Sequence, residues 1–172
     1  SHHFYLFGQL DGLKRNNVNV SLYTNSKTEN PNIDGVKFYQ TYGDLFLSNN
    51  FVINGFRFLL GSFRSILHAR ISKVKAFHFH IFHINFLVLI NLLLIKLLFG
   101  KLILTIHDVS SFAKKKTPSL ISNLAYKLAD LILTHNQYSQ DEIIKLDPSL
   151  RPYIHTIPHG NYLPFINIIE DQ

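Results

Sequence analysis

The chain has 172 residues, 47% of them hydrophobic, with 17 Lys and Arg against 11 Asp and Glu, giving a formal charge of +6 and a pI near 9.5. That length suits one domain of the usual ~100–200 residues, and the apolar content excludes intrinsic disorder. The absence of Cys excludes disulfides, thiolate metal sites and cysteine nucleophiles, while the positive charge favours phosphate, nucleic acid or an acidic membrane face as partner.

Phe4, Phe7, Leu10 and Leu13 recur at helical spacing and predict an opening helix that stops before Asn16 and Asn17. Val18 to Thr24 alternates apolar and polar residues as a strand does, Asn25 to Gly35 is a polar loop, and Val36 to Gln40 is a short second strand. From Phe51 to Arg70 the residues Val52, Phe56, Leu59, Leu60, Phe63 and Leu67 form one apolar stripe, with Arg57 and Arg64 together elsewhere on the helix. This is an amphipathic helix with a basic side. Its Arg side is expected either in water, with the helix covering a sheet, or against an anionic membrane together with Lys114, Lys115 and Lys116 and shallow insertion of Phe51 and Phe58.

Lys75 to Ile81 is strand-like. From Ile81 to Ile106 the chain is apolar enough to raise a membrane span, but Asn85, Asn91, Lys96, Gly100 and Lys101 divide it. The pattern fits a buried helix over Phe86 to Phe99, a stop at Gly100-Lys101, and a buried strand over Leu102 to Ile106. Val109 to Pro118 reads as a loop, Ser119 to Leu128 as a helix and Leu131 to His135 as a strand. Ser139 is then expected to cap a helix reaching Leu146, and Tyr153 to Ile157 is the last strand, ended by Pro158 and Gly160. Strands alternating with helices predict an α/β class: one doubly wound, Rossmann-like parallel sheet with helices on both faces, spanning residues 1–172. Such a sheet normally begins with a strand, whereas this chain begins with a helix, has no Met and opens on Ser1, so the first strand is expected to be missing and the chain to be a processed or partial one.

Several phosphate and metal motifs are absent: no Gly-x4-Gly-Lys-Ser/Thr, no Gly-x-Gly-x-x-Gly, no Asp-x-Asp and no Gly-x-Ser-x-Gly. The ten His are the chemistry-bearing feature. His78 and His80 point to one face of their strand, where with His83 they form either a partial metal site or hydrogen-bonded strand-end groups, and the missing carboxylates and thiolates favour the latter. His107-Asp108 ends the Leu102 to Ile106 strand, where open α/β sheets bind ligands, so it either caps the loop or touches substrate. His159-Gly160 follows the last strand, as a turn or a binding element. The basic residues are not interleaved with aromatics in an RNA-binding pattern, so nucleic acid is not the expected partner.

Taken in order, Phe77-His78-Phe79-His80, Leu104-Thr105-Ile106-His107-Asp108, Ala129-Asp130-Leu131-Ile132-Leu133-Thr134-His135 with Asn136 and Ser139, and Ile157-Pro158-His159-Gly160-Asn161 resemble the strand-end motifs of the N-terminal half of family 4 glycosyltransferases of the GT-B fold. The resemblance covers about residues 4 to 165. It implies the acceptor-binding half of an enzyme that moves a sugar from a nucleotide-sugar donor to a lipid-linked or polysaccharide acceptor, retaining anomeric configuration without a metal or other cofactor. It places His107 beside the reacting sugar as the catalytic residue, with His80, Asp108, His159 and Gly160 as substrate-binding residues. The alternative expectation, drawn from the basic helix and Lys114 to Lys116, is a non-catalytic Rossmann-like module that binds an anionic membrane surface or ligand; either protein is expected in the cytoplasm, the basic residues offering peripheral docking on the membrane face. Most of the donor site belongs to a second half with no counterpart here, so the 172-residue chain is expected to be inactive alone.

Overall fold

The computed structural model describes residues 2–43, 49–107 and 120–158. Asp108, the loop with Lys114, Lys115 and Lys116, Ser119, His159 and Gly160 lie outside the described residues. The elements in order are α1 (His2–Arg15), β1 (Val20–Asn25), β2 (Val36–Tyr42), α2 (Phe51–Ile71), β3 (Ala76–Ile81), α3 (Phe86–Leu97), β4 (Lys101–Ile106), α4 (Leu120–Leu128), β5 (Leu131–Thr134), α5 (Gln137–Leu146), a 3-10 helix (Pro148–Tyr153) and β6 (Ile154–Thr156). The class is α/β with parallel sheets, as in a Rossmann-like fold, and the strands form two ladders.

The chain divides into two compact units. The first holds α1, β1 and β2. Its two strands run parallel, with Val20 opposite Val36 and Tyr23 opposite Tyr39, whose rings stack 5.1 Å apart. The second unit, residues 48–158, is a four-stranded parallel sheet in the order β3-β4-β5-β6 with its connecting helices. Strands that add in one direction through right-handed crossovers place their helices on one face. Leu102, Leu104 and Ile106 of β4, Ile132 of β5 and Ile154 of β6 accordingly share a buried cluster with Leu89, Leu92 and Ile95 of α3, Tyr126 of α4 and Ile143 of α5. The alternate residues His78, His80, Ile103, Thr105, Leu131 and Leu133 belong to the opposite face.

The predicted elements are present within a few residues, with four corrections. Gly100-Lys101 does not itself stop α3: the helix ends at Leu97 with Leu98 as its cap, Phe99 turns left-handed at φ 57°, and the Gly100 amide donates to Ile95 O at 2.9 Å. Gly100 is needed for close approach instead, because a Cβ there would sit 2.7 Å from Ile95 Cγ2 and 2.9 Å from the Phe77 ring. Asn136, not Ser139, caps α5: its side chain accepts from the Ser139 amide at 2.8 Å. The segment before β6 winds into a 3-10 helix, started by Asp147 as cap and Pro148 in the first turn.

The fourth correction concerns α2. Its buried side is the small-residue side, Gly61, Ser62, Ser65 and Ala69 with Ile66, while Phe56, Leu60, Phe63 and Leu67 of the apolar stripe are exposed. Small side chains let α3 come close, and Asn91 of α3 donates across the contact to Ser62 Oγ at 2.8 Å. Phe58 lies on the inner half of the helix, so it is not available for the insertion expected of it. No helix among the described residues is long and apolar enough to cross a membrane, and Phe86–Leu97 buries one face, Leu89, Asn91, Leu92 and Ile95, while Phe86, Leu93 and Leu97 stay exposed, so it is half-buried where a buried helix was expected.

Candidate functional site

In a parallel ladder, residues that follow in register emerge together at the carboxyl edge. Ile81, Ile106 and Thr134 are paired across β3, β4 and β5, so Phe82, His107 and His135 come next, side by side. The ladder extends one step past the strands: the His107 amide donates to Ile81 O at 3.1 Å and the Ile157 amide to Thr134 O at 2.8 Å.

The side chains form a ring-lined row. Phe82 stacks on His107 with centroids 4.3 Å apart, and His107 lies 4.8 Å from His135, about one strand spacing. His80, two residues before Phe82 and on the same face, approaches His107 with Nδ1 3.3 Å from Nε2. One of these nitrogens donates and the other accepts, which requires complementary tautomers. Behind them His78 stacks on His80 at 4.7 Å and bonds Thr105 Oγ1 through Nε2 at 2.7 Å. At the far end His135 Nδ1 lies 3.2 Å from Ile157 O, the geometry of an N–H donating to the carbonyl.

Burial and crowding set the protonation of the inner pair. Burial pushes His78 down to about 4. Burial also pushes His80 down to about 3, helped by repulsion from His78, His107 and His135. Both rings are therefore neutral at pH 7, each with one N–H and one bare nitrogen. Stacking turns ring faces, not lone pairs, toward each other, and among the described residues no three His, Asp or Glu are grouped to hold a metal ion.

Below the row, Thr156 donates to Gln140 Oε1 of α5 at 2.6 Å, and its oxygen is 3.1 Å from Thr134 Oγ1, so hydroxyls tie β5, β6 and the α5 N-terminus together. The opposite edge is pinned by Asp130, which bonds Lys96 Nζ at 2.8 Å, Lys101 Nζ at 3.0 Å and the Leu102 amide at 2.8 Å. Burial alone would raise the Asp130 carboxyl, but these partners outweigh it and hold it near 2. Asp130 is thus a brace at the amino edge, remote from the histidines.

Of the predicted site residues, His80 and His107 are brought into contact, Arg57 and Arg64 sit on α2 and not at the strand ends, and Asp108, His159, Gly160 and Lys114 to Lys116 lie outside the described residues. His83 is exposed, and among the described residues it does not join His78 and His80 in a group that could hold a metal ion. Sequence reasoning missed His135 and Phe82. Both follow a strand directly, as His107 does, and applying the strand-end rule to every strand finds them. No protein-family model and no curated protein matches the sequence.

Proposed function

We propose that the histidine row is the acceptor-side sugar site of a glycosyltransferase of the GT-B type. The single observation that carries this reading is the run Phe82, His107 and His135 across three strand ends, with His80 hydrogen-bonded into it. Neutral His80 donates through one ring nitrogen and accepts through the other, the two roles that a sugar hydroxyl also combines. Phe82, half in solvent, adds an apolar platform.

In the reaction this supports, an acceptor hydroxyl oxygen bonds the anomeric carbon of the donor sugar. The bond from that carbon to the nucleoside diphosphate oxygen breaks, and the hydroxyl proton leaves with the diphosphate. His107 faces the reacting sugar, His80 fixes its tautomer and orientation, and His135 borders the acceptor. On this reading the 172 residues supply the acceptor side of the site, so the purified chain is expected not to transfer sugar, and sugar transfer by it would contradict that division of labour.

The test is sugar transfer by the protein as encoded by its gene. His107→Ala is expected to lower turnover by about 10²–10⁴-fold, as loss of a positioned acid, base or charge-stabilising group does, with melting temperature unchanged. Undiminished turnover would reduce His107 to a loop cap.

A further inference from the structure

The helix layer of the second unit carries an apolar face that packing within the unit does not use. On α2, Ile53, Phe56, Leu60, Phe63, Leu67 and Ile71 follow one another at spacings of three or four residues and are all exposed, Phe56 at 67% and Ile71 at 73%. The side of the same helix that packs inward is Gly61, Ser62, Ser65, Ile66 and Ala69. On α3, packed beside α2, Phe86, Leu93 and Leu97 are exposed on the side away from Leu89, Leu92 and Ile95. Scattered exposed apolar residues are ordinary, whereas two neighbouring helices with outward apolar rows mark a surface that meets something.

The charge around the row selects the occupant. Arg57, Arg64 and His68 stand along one flank of α2 at seven- and four-residue spacing. From Ser48 to His107 the sequence contains no Asp or Glu, while Arg57, Arg64, Arg70, Lys73 and Lys75 are all basic. A second copy of the chain would bring two such cationic rows together with no carboxylate from these helices between them. An anionic bilayer supplies both what the apolar row and what the basic flank require. We infer that α2 lies in the plane of an anionic membrane surface, with Phe56, Leu60, Phe63 and Leu67 at the acyl boundary and Arg57 and Arg64 at the headgroups. This rests on the helix face alone and does not depend on the histidine site.

Co-sedimentation of the 172-residue chain with vesicles of phosphatidylcholine, with and without phosphatidylglycerol, tests it. Binding is expected only with the anionic lipid, and it weakens as salt rises. Arg57→Gln/Arg64→Gln should reduce partitioning about thirtyfold. Leu60→Ser/Phe63→Ser should reduce it by at least about tenfold with an unchanged melting curve, since both side chains are exposed. Ile53→Ser/Leu67→Ser gives a second reading of the same row if the first pair melts early. Absence of binding, equal binding to neutral vesicles, or binding that survives loss of the apolar row would overturn the inference. So would a dimer at micromolar concentration that the serine variants disperse, which would give the face to a second copy.

Discussion

At the scale of single residues the site is governed by how strongly the inner histidines are kept neutral. His78 and His80 have folded-state values of about 4 and about 3, below the ordinary 6.5. In the unfolded chain they take up protons near pH 6.5, in the folded chain only far below it, so their neutral burial favours folding above the unfolded value and loses that advantage as pH falls from about 6.5 toward 3. Unfolding free energy from urea titration should therefore drop between pH 7 and pH 5, by about 2 kcal/mol for each ring. The variant His78→Gln/His80→Gln should flatten that slope, and an equal slope in the variant would assign acid sensitivity to other groups. The same pair shows what a sequence can and cannot disclose. Alternation in Phe77-His78-Phe79-His80 places both rings on one face, but that they stack instead of converging on a shared ligand depends on Thr105 and His107 of the neighbouring strand.

At the scale of elements, most of the fold was legible because each helix and strand of the second unit has its own local signal. Uninterrupted apolar runs mark strands buried in a parallel sheet, whereas the caps at Asn50, Asn85 and Asn136 emerge only from the structure, Ser139 having been expected where Asn136 caps. The inward face of α2 was not legible, because larger apolar side chains were expected to turn inward. Close packing of α3 is instead achieved by Gly61, Ser62, Ser65 and Ala69, and burial of apolar residues is a one-way rule. Gly100→Ala should cost about 1–3 kcal/mol of unfolding free energy, since its methyl would press on Ile95 and Phe77 between α3 and β3. Asp130→Ala should cost about 1–2 kcal/mol by loosening the start of β4 from Lys96 and Lys101, a modest figure because the carboxylate is partly solvated. The melting temperature reports both, and a neutral Asp130→Ala would show the brace to be dispensable.

At the scale of the whole molecule, parallel strands bring to one edge groups that lie far apart in sequence. His80, His107 and His135 meet because β3, β4 and β5 are neighbours in register, and no spacing between those residues along the chain announces it. The order of strand-end motifs was readable as a resemblance, the contact between them only from the ladder. The apolar face of α2 and α3 is carried by the helix layer, and the histidine row by the strand ends, so a change to one is expected to leave the other intact. The most direct measurement of the central claim is ring nitrogen NMR of the histidines during titration with a nucleotide sugar and with simple glycosides. Coupled shifts of His80, His107 and His135 at a shared saturation point, with exposed His83 and His155 unmoved and all three responses lost in His107→Ala, are the predicted result. Sugar binding that shifts His83 or His155 and leaves the strand-end row unchanged would contradict the account.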